Sequence, residues 1–182
     1  MSARRWSFFV WGEPAPKGSL KAITPPGMKY SVLIDSNAKS VRPWMQTVGQ
    51  VAQLSQLGRP PHAGPVRLFC VFFFSRPQGH YGSGKNAGKL KPGSPSTCSV
   101  KPDQDKLLRA VCDALEGIVY TGDSRVVDGR AQKFYSRPGR PAGVHVTVET
   151  FDDLGDIEIP NLQPGEEIVT EKPARQLALE AK

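Results

Sequence analysis

The most apolar run in the chain is Val66 to Phe74, which reads Val-Arg-Leu-Phe-Cys-Val-Phe-Phe-Phe. Nine residues are too few for a well-formed buried helix, and aromatic and β-branched side chains suit a pleated, packed surface. The run therefore reads as a central strand, and the rest of the chain has to supply strands beside it and helices over it.

The candidates lie on both sides of that run. Trp6 to Trp11 is aromatic and β-branched and is closed by Gly12-Glu-Pro-Ala-Pro16, which cannot continue a strand paired on both edges. Lys17 to Lys21 reads as a short basic loop, and Tyr30 to Ile34 as a second strand ending at Asp35. Ser40 is expected to cap a helix running to about Leu57, because Val41, Trp44, Met45, Val48, Val51, Ala52 and Leu54 recur near helical spacing before Gly58 stops it. A further helix is expected over 104–116, then a short turn or strand at Ile118 to Tyr120. Two strands follow, Val126 to Tyr135 and Val144 to Phe151, joined as a hairpin through Arg137-Pro-Gly-Arg-Pro141. The expected architecture is mixed α/β (α+β): a single domain over 1–150 with a mixed sheet packed by two main helices.

Charge divides the chain unevenly. Residues 151–182 hold eight acids against three bases, and residues 1–150 hold 21 bases against nine acids. The acidic, proline-containing end reads as a disordered tail. The basic body would attract a polyphosphate through counterion release and long-range steering, so nucleic acid is the first partner to test. Between Arg76 and Pro102 no hydrophobic period survives among five glycines and four prolines, so this segment reads as a mobile basic loop carrying Arg76, Lys85, Lys89, Lys91 and Lys101. With Lys17 and Lys21 these are the expected DNA contacts. Three widely spaced cysteines without a C-x-x-C pair indicate neither a disulfide framework nor a zinc module, and no run is long enough to cross a membrane. The expected setting is cytoplasmic, at the nucleoid while acting.

Chemistry concentrates in Lys101 to Arg125. At 100° per residue Leu107, Leu108, Val111, Cys112 and Leu115 share the buried side of the helix, and Asp105, Arg109, Asp113 and Glu116 share the other. Asp103 stands where the chain enters the helix, a position that caps exposed amides. Two carboxylates two residues apart at a helix start can also converge on one hard cation, and Asp123, beyond the turn at Gly122, can complete such a site for magnesium. Arg109, one turn beyond Asp105, is placed to contact a phosphate or to hold Asp105. An Asp-x-Asp at a helix start equally serves capping and the helix dipole. Asp113 and Glu116 read as surface partners of Lys106 and Arg109, and Asp128 as an exposed strand residue.

Lys101 to Val127, read as K-P-D-x-D-x-L-x-R-A-x-x-D-A-L-x-G-x-x-Y-x-x-D-S-x-V-V, resembles the core motif of the RusA family of Holliday junction resolvases, and Gly12-Glu-Pro-Ala-Pro-Lys-Gly18 fits the same family. The resemblance places the family's catalytic, metal-binding aspartates on Asp103, Asp105 and Asp123, and its catalytic lysine on Arg109. It implies a homodimer that binds four-way junctions and nicks them in pairs with magnesium, or manganese in its place, in DNA recombination and repair. Three positions depart from the pattern. Lys106 replaces the usual Asn and adds a phosphate contact, Gly122 replaces the first acid of an Asp-Asp pair, and Arg109 keeps its charge but cannot give up a proton.

Three rival readings remain. A restriction-type nuclease would need an acid-x-Lys strand, for which the chain offers only Asp123-Ser-Arg125. A protein that binds branched DNA without cutting it needs only the basic body. An RNA-binding module would expose aromatics in a glycine-aromatic signature, whereas Trp6, Phe8, Phe9 and Phe72 to Phe74 read as core.

Overall fold

A computed structural model describes residues 4–137 and 141–151, so the acidic tail lies outside the described residues. Four strands form one sheet in the order β1-β6-β4-β5: β1 (Arg4–Trp11), β4 (Val66–Phe74), β5 (Val126–Tyr135) and β6 (Gly143–Thr150). β6 pairs antiparallel with β1 and β4, and β4 pairs parallel with β5. Two helices, α1 (Ala38–Gln56) and α2 (Gln104–Leu115), contact each other and the sheet. The architecture is thus a mixed α/β single domain.

β4 is an inner strand because its apolar side chains need cover on both faces. Leu68, Cys70 and Phe72 are fully buried toward the helices together with Val10, Val144, Val146 and Val148. The opposite face keeps a row of rings, Phe9, Phe73 and Phe134, with centroids 6.3 and 6.2 Å apart.

The expected hairpin between the last two strands does not form, since β4 lies between β5 and β6. Side-chain character explains the exchange. β6 carries three fully buried valines and takes an interior place, whereas β5 exposes Arg130 and Gln132 and takes the edge beside β4. Chain order and turn residues favour neighbours, and burial overrides them. The connection from β4 through α2 to the parallel β5 is a βαβ unit.

α1 starts three residues earlier than its sequence signal. Asn37, not Ser40, occupies the cap position, and the Ser40 hydroxyl donates to Asn37 Oδ1 at 2.6 Å. Asp35 Oδ1 accepts from the Asn37 amide at 2.7 Å, so an acid outside the helix satisfies the chain entering it. Leu54, expected on the packed side, is exposed. Gly49 allows close approach of the helices, because a Cβ there would stand 3.1 Å from Ile118 Cδ1 and 3.3 Å from the Ala114 carbonyl.

Two short strands, β2 (Leu20–Ile23) and β3 (Val32–Asp35), pair only with each other. β2 falls partly in the segment read as a basic loop, and β3 starts two residues later than expected. The segment after β4 contains 3₁₀ turns at Gln78–His80 and Gly84–Asn86. Its far end, Ser96 to Cys98, adds to the edge of β5 through Tyr135 N to Ser96 O (2.8 Å) and Cys98 N to Lys133 O (3.1 Å). Among the described residues no helix is long and apolar enough to cross a membrane.

Candidate active site

α2 is positioned by its apolar side. Leu107, Ala110, Val111, Ala114 and Leu115 are buried, with Leu108 and Cys112 partly covered, so Asp105, Arg109 and Glu116 face solvent as expected. The Tyr120 hydroxyl donates to the Cys112 carbonyl at 2.8 Å and fixes the turn after the helix. Burial pushes the Cys112 thiol up to about 11, which keeps it protonated and inert at neutral pH. All three cysteines are free.

The start of α2 is tied to β5. Lys133 on β5 donates to the carbonyls of Val100 and Pro102, each at 2.7 Å, and the Gln104 side chain donates to the Ala131 carbonyl. Asp103 stands at the cap position, but its carboxylate makes no capping hydrogen bond and pairs with Lys106 at 2.9 Å instead. The hydrogen bond and charge of Lys106, helped by Lys101 and Lys133, hold the Asp103 carboxyl below the usual carboxylate range. Asp103, and to a lesser degree Asp105, raises the Lys106 ammonium in return.

The Gly12–Gly18 arm runs along the same helix. Lys17 N donates to the Lys106 carbonyl at 3.1 Å, and the Lys17 ammonium pairs with Asp113. Lys17 is thus the partner of Asp113, where Lys106 or Arg109 was expected. Sequence spacing within one helix cannot reveal an ion pair brought in from another segment. Asp128, likewise, is ion-paired with Arg67 and Arg130, each at 3.0 Å.

Between the arm, the end of β4 and the start of α2 opens a cleft of about 900 Å³. Lys17, Arg76, Lys101, Lys106 and Asp103 all line it, so five of the residues singled out from sequence meet here. Glu13 closes one end by accepting from the Ser75 hydroxyl at 2.7 Å. Arg76 is largely committed to structure: it donates to the carbonyls of Ser136 (2.7 Å) and Pro95 (2.8 Å) and lies over the Tyr135 ring. Lys91 likewise donates to the Gly79 carbonyl at 2.9 Å. Lys21, Lys85 and Lys89 are exposed and do not line the cleft.

Asp105, Arg109 and Asp123 also lie outside the cleft lining. Asp123 opens the 3₁₀ turn Asp123–Arg125, is exposed, and acts electrostatically on Cys112 in the second half of α2. Asp105 is seven residues before Cys112, about 10 Å along the helix axis. Among the described residues no three acids, histidines or cysteines are grouped so as to hold a metal ion. The three carboxylates suit a hard divalent ion in kind, but their placement does not form one ligand set.

Sequence reasoning missed Lys133, Asp35 and the Lys17–Asp113 pair. The signal available for the arm was Gly18. Its amide donates to both Asp35 oxygens (3.0 and 3.2 Å), and a Cβ there would stand 2.2 Å from Asp35 Oδ1. A side chain at that position has no room.

Comparison with known proteins agrees with this layout. The chain is 34% identical over 137 residues to the uncharacterized protein YqaN of Bacillus subtilis (strain 168), covering 73% of this chain and 89% of that protein. The pattern of the family described as Endodeoxyribonuclease RusA matches residues 29–149, which include α2, the cleft's lysines at 101 and 106, and all three motif aspartates. The chain therefore belongs to the RusA family of endodeoxyribonucleases.

Proposed function

We propose that this protein is a magnesium-dependent endonuclease that resolves four-way DNA junctions by paired nicks, acting as a homodimer. One observation carries the reading: the family's first motif aspartate, Asp103, stands in the wall of a cleft whose other charged lining residues are mostly basic, Lys17, Lys101 and Lys106 among them. A phosphodiester drawn into that cleft meets Asp103 in its wall.

The roles follow from chemistry and position. Lys17, Lys101 and Lys106 offset phosphate charge. Arg109, permanently protonated and exposed on the face of α2 that carries Asp105, presents a planar donor fork to a phosphate oxygen. Asp103, Asp105 and Asp123 are the carboxylates that would have to be drawn together to hold magnesium, which when bound supplies an activated water and neutralises charge on the scissile phosphate. Support for a pair of subunits comes from the sheet face turned away from the helices, where Trp11 is 66% exposed and packs 5.0 Å from Phe9 at the end of the ring row.

A second reading, binding of branched DNA without cleavage, is favoured by the engagement of Asp103 with Lys106 and by the separation of the acids. A labelled mobile four-way junction, incubated with and without magnesium, decides between them. Paired, chelator-sensitive nicks support the nuclease. A gel shift without any nick at any magnesium concentration supports the binder.

A further inference from the structure

The β2–β3 hairpin gathers six of the exposed large apolar side chains of the described residues. It makes no extended contact with the sheet or the helices. Leu20, Tyr30 and Leu33 are 67, 66 and 63% exposed, and Ile23, Met28 and Val32 are exposed as well. The register pairs Ala22 with Leu33 and Ile23 with Val32, so apolar groups occupy both faces of the ribbon. An isolated two-stranded hairpin is only marginally stable in water, and one with this surface is built to meet something.

Its root is firmly held. Asp35 accepts from the amides of Gly18 and Asn37, Ser36 N donates to the Ser19 carbonyl at 3.1 Å, and Asn37 Nδ2 donates to the Pro16 carbonyl at 2.7 Å. Ser19 and Ser36, the first residues beyond the two strands, both line the basic cleft. The hairpin therefore rises from the cleft wall. At its far end Pro25-Pro26-Gly27-Met28 forms a tight turn, with Met28 N donating to the Pro25 carbonyl at 3.1 Å and Gly27 at φ 85°. The Thr24 and Ser31 hydroxyls share a hydrogen bond of 2.9 Å across the base of that tip.

Charge selects the occupant. From Ser19 to Ile34 the only ionisable side chains of definite charge are Lys21 and Lys29, and there is no acid. A second copy of the chain is a poor match at this place, because the hairpin carries two lysines and no acid and stands beside a mostly basic cleft. Apolar side chains flanked by isolated lysines, at the rim of a cleft suited to phosphates, match nucleic acid whose bases are unstacked.

We propose that the hairpin is a wedge that places Met28 and Tyr30 against unstacked bases at the branch point of DNA held in the cleft, with Lys21 and Lys29 on the flanking phosphates. This rests on the reading of the cleft as a site for branched DNA. In an intact duplex the bases are stacked and give the tip no surface, so the wedge favours branched over linear DNA at the binding step.

The test uses the full chain and four-way junctions carrying 2-aminopurine beside the branch point, in calcium or chelator so that no strand is cut. At saturating wild-type protein the fluorescence rises as the base unstacks. The Met28→Ser/Tyr30→Ser double variant is expected to lose most of that rise at saturation and to bind the junction about five- to tenfold more weakly, with duplex affinity unchanged. Circular dichroism of the variant matches wild type, since both side chains are exposed. An undiminished fluorescence rise in the saturated variant overturns the wedge while leaving the cleft reading intact. Wild-type protein that shifts no junction at all overturns both. A variant that changes oligomeric state by light scattering shows instead that the tip holds a second copy, which also overturns the proposal.

Discussion

At the start of α2, Asp103 is gripped: Lys106 pairs with its carboxylate, Lys133 holds the two carbonyls before it, and the Gly12–Gly18 arm lies along the helix. Beyond the other end of the same helix, Asp123 sits exposed in a one-turn 3₁₀ segment after Gly122, where the family pattern has a second acid. One end is organised by cations that hold a carboxylate in place, and the other presents a carboxylate with far less around it. An acid held by an ammonium is committed until something exchanges with that ammonium, whereas an exposed acid is available at once. If the proposed site assembles on DNA and metal, Asp103 has to be released and Asp123 recruited.

The largest effects should come from removing the acids themselves. Asp105→Asn and Asp123→Asn are each expected to lower single-turnover nicking of a four-way junction by about 100-fold or more, with junction affinity equal or tighter because charge opposing phosphate is lost. Wild-type nicking by Asp123→Asn would remove the far end of α2 from the site and break the comparison there. Gly18→Ala attacks the gripped end structurally. The new Cβ collides with Asp35, so the variant should lose about 2 kcal/mol of stability by denaturant unfolding. Gly27→Ala, where nothing lies within 4 Å but φ is positive, should lose only about 1 kcal/mol.

Lys106→Asn tests the grip directly. Asp103 titrates below the usual carboxylate range chiefly because of Lys106, so in the variant its carboxyl should titrate at a higher pH by NMR. The sign for stability follows: a depressed folded value means that the pair helps above the ordinary carboxylate range, and that help fades as pH falls through the lowered value. The same substitution removes a competitor for Asp103, so the magnesium concentration for half-maximal nicking should fall by about threefold. An unchanged midpoint would mean that the pair does not oppose metal binding.

How much of this was legible beforehand depends on distance along the chain. β1, β4, β5, β6 and α2 follow from local periodicity, which acts within a few residues. The insertion of β6 between β1 and β4 does not, because it is decided by the competition of three valines with two polar residues for interior positions. The motif acids could be named from their pattern, but not the pairing of Asp103 with Lys106 in place of a cap. Nor could the approach of Lys17 to Asp113 be read, since 96 positions in the sequence separate them. Charge counts also overstated the free cations: Arg76 donates to the carbonyls of Ser136 and Pro95, and Lys91 to that of Gly79.

That last point separates two lysines that composition treats alike. Lys89 is exposed beyond the cleft, whereas Lys91 donates to the Gly79 carbonyl. If the segment touches DNA through uncommitted cations, Lys89→Ala should weaken junction binding about twofold and reduce the slope of affinity against salt by about one phosphate contact. Lys91→Ala should leave that slope alone, because its ammonium already serves the loop, and should show itself as faster proteolysis of the loop. Equal salt slopes for the two variants would mean that Lys91 leaves Gly79 for phosphate on binding, and that the segment rearranges around DNA.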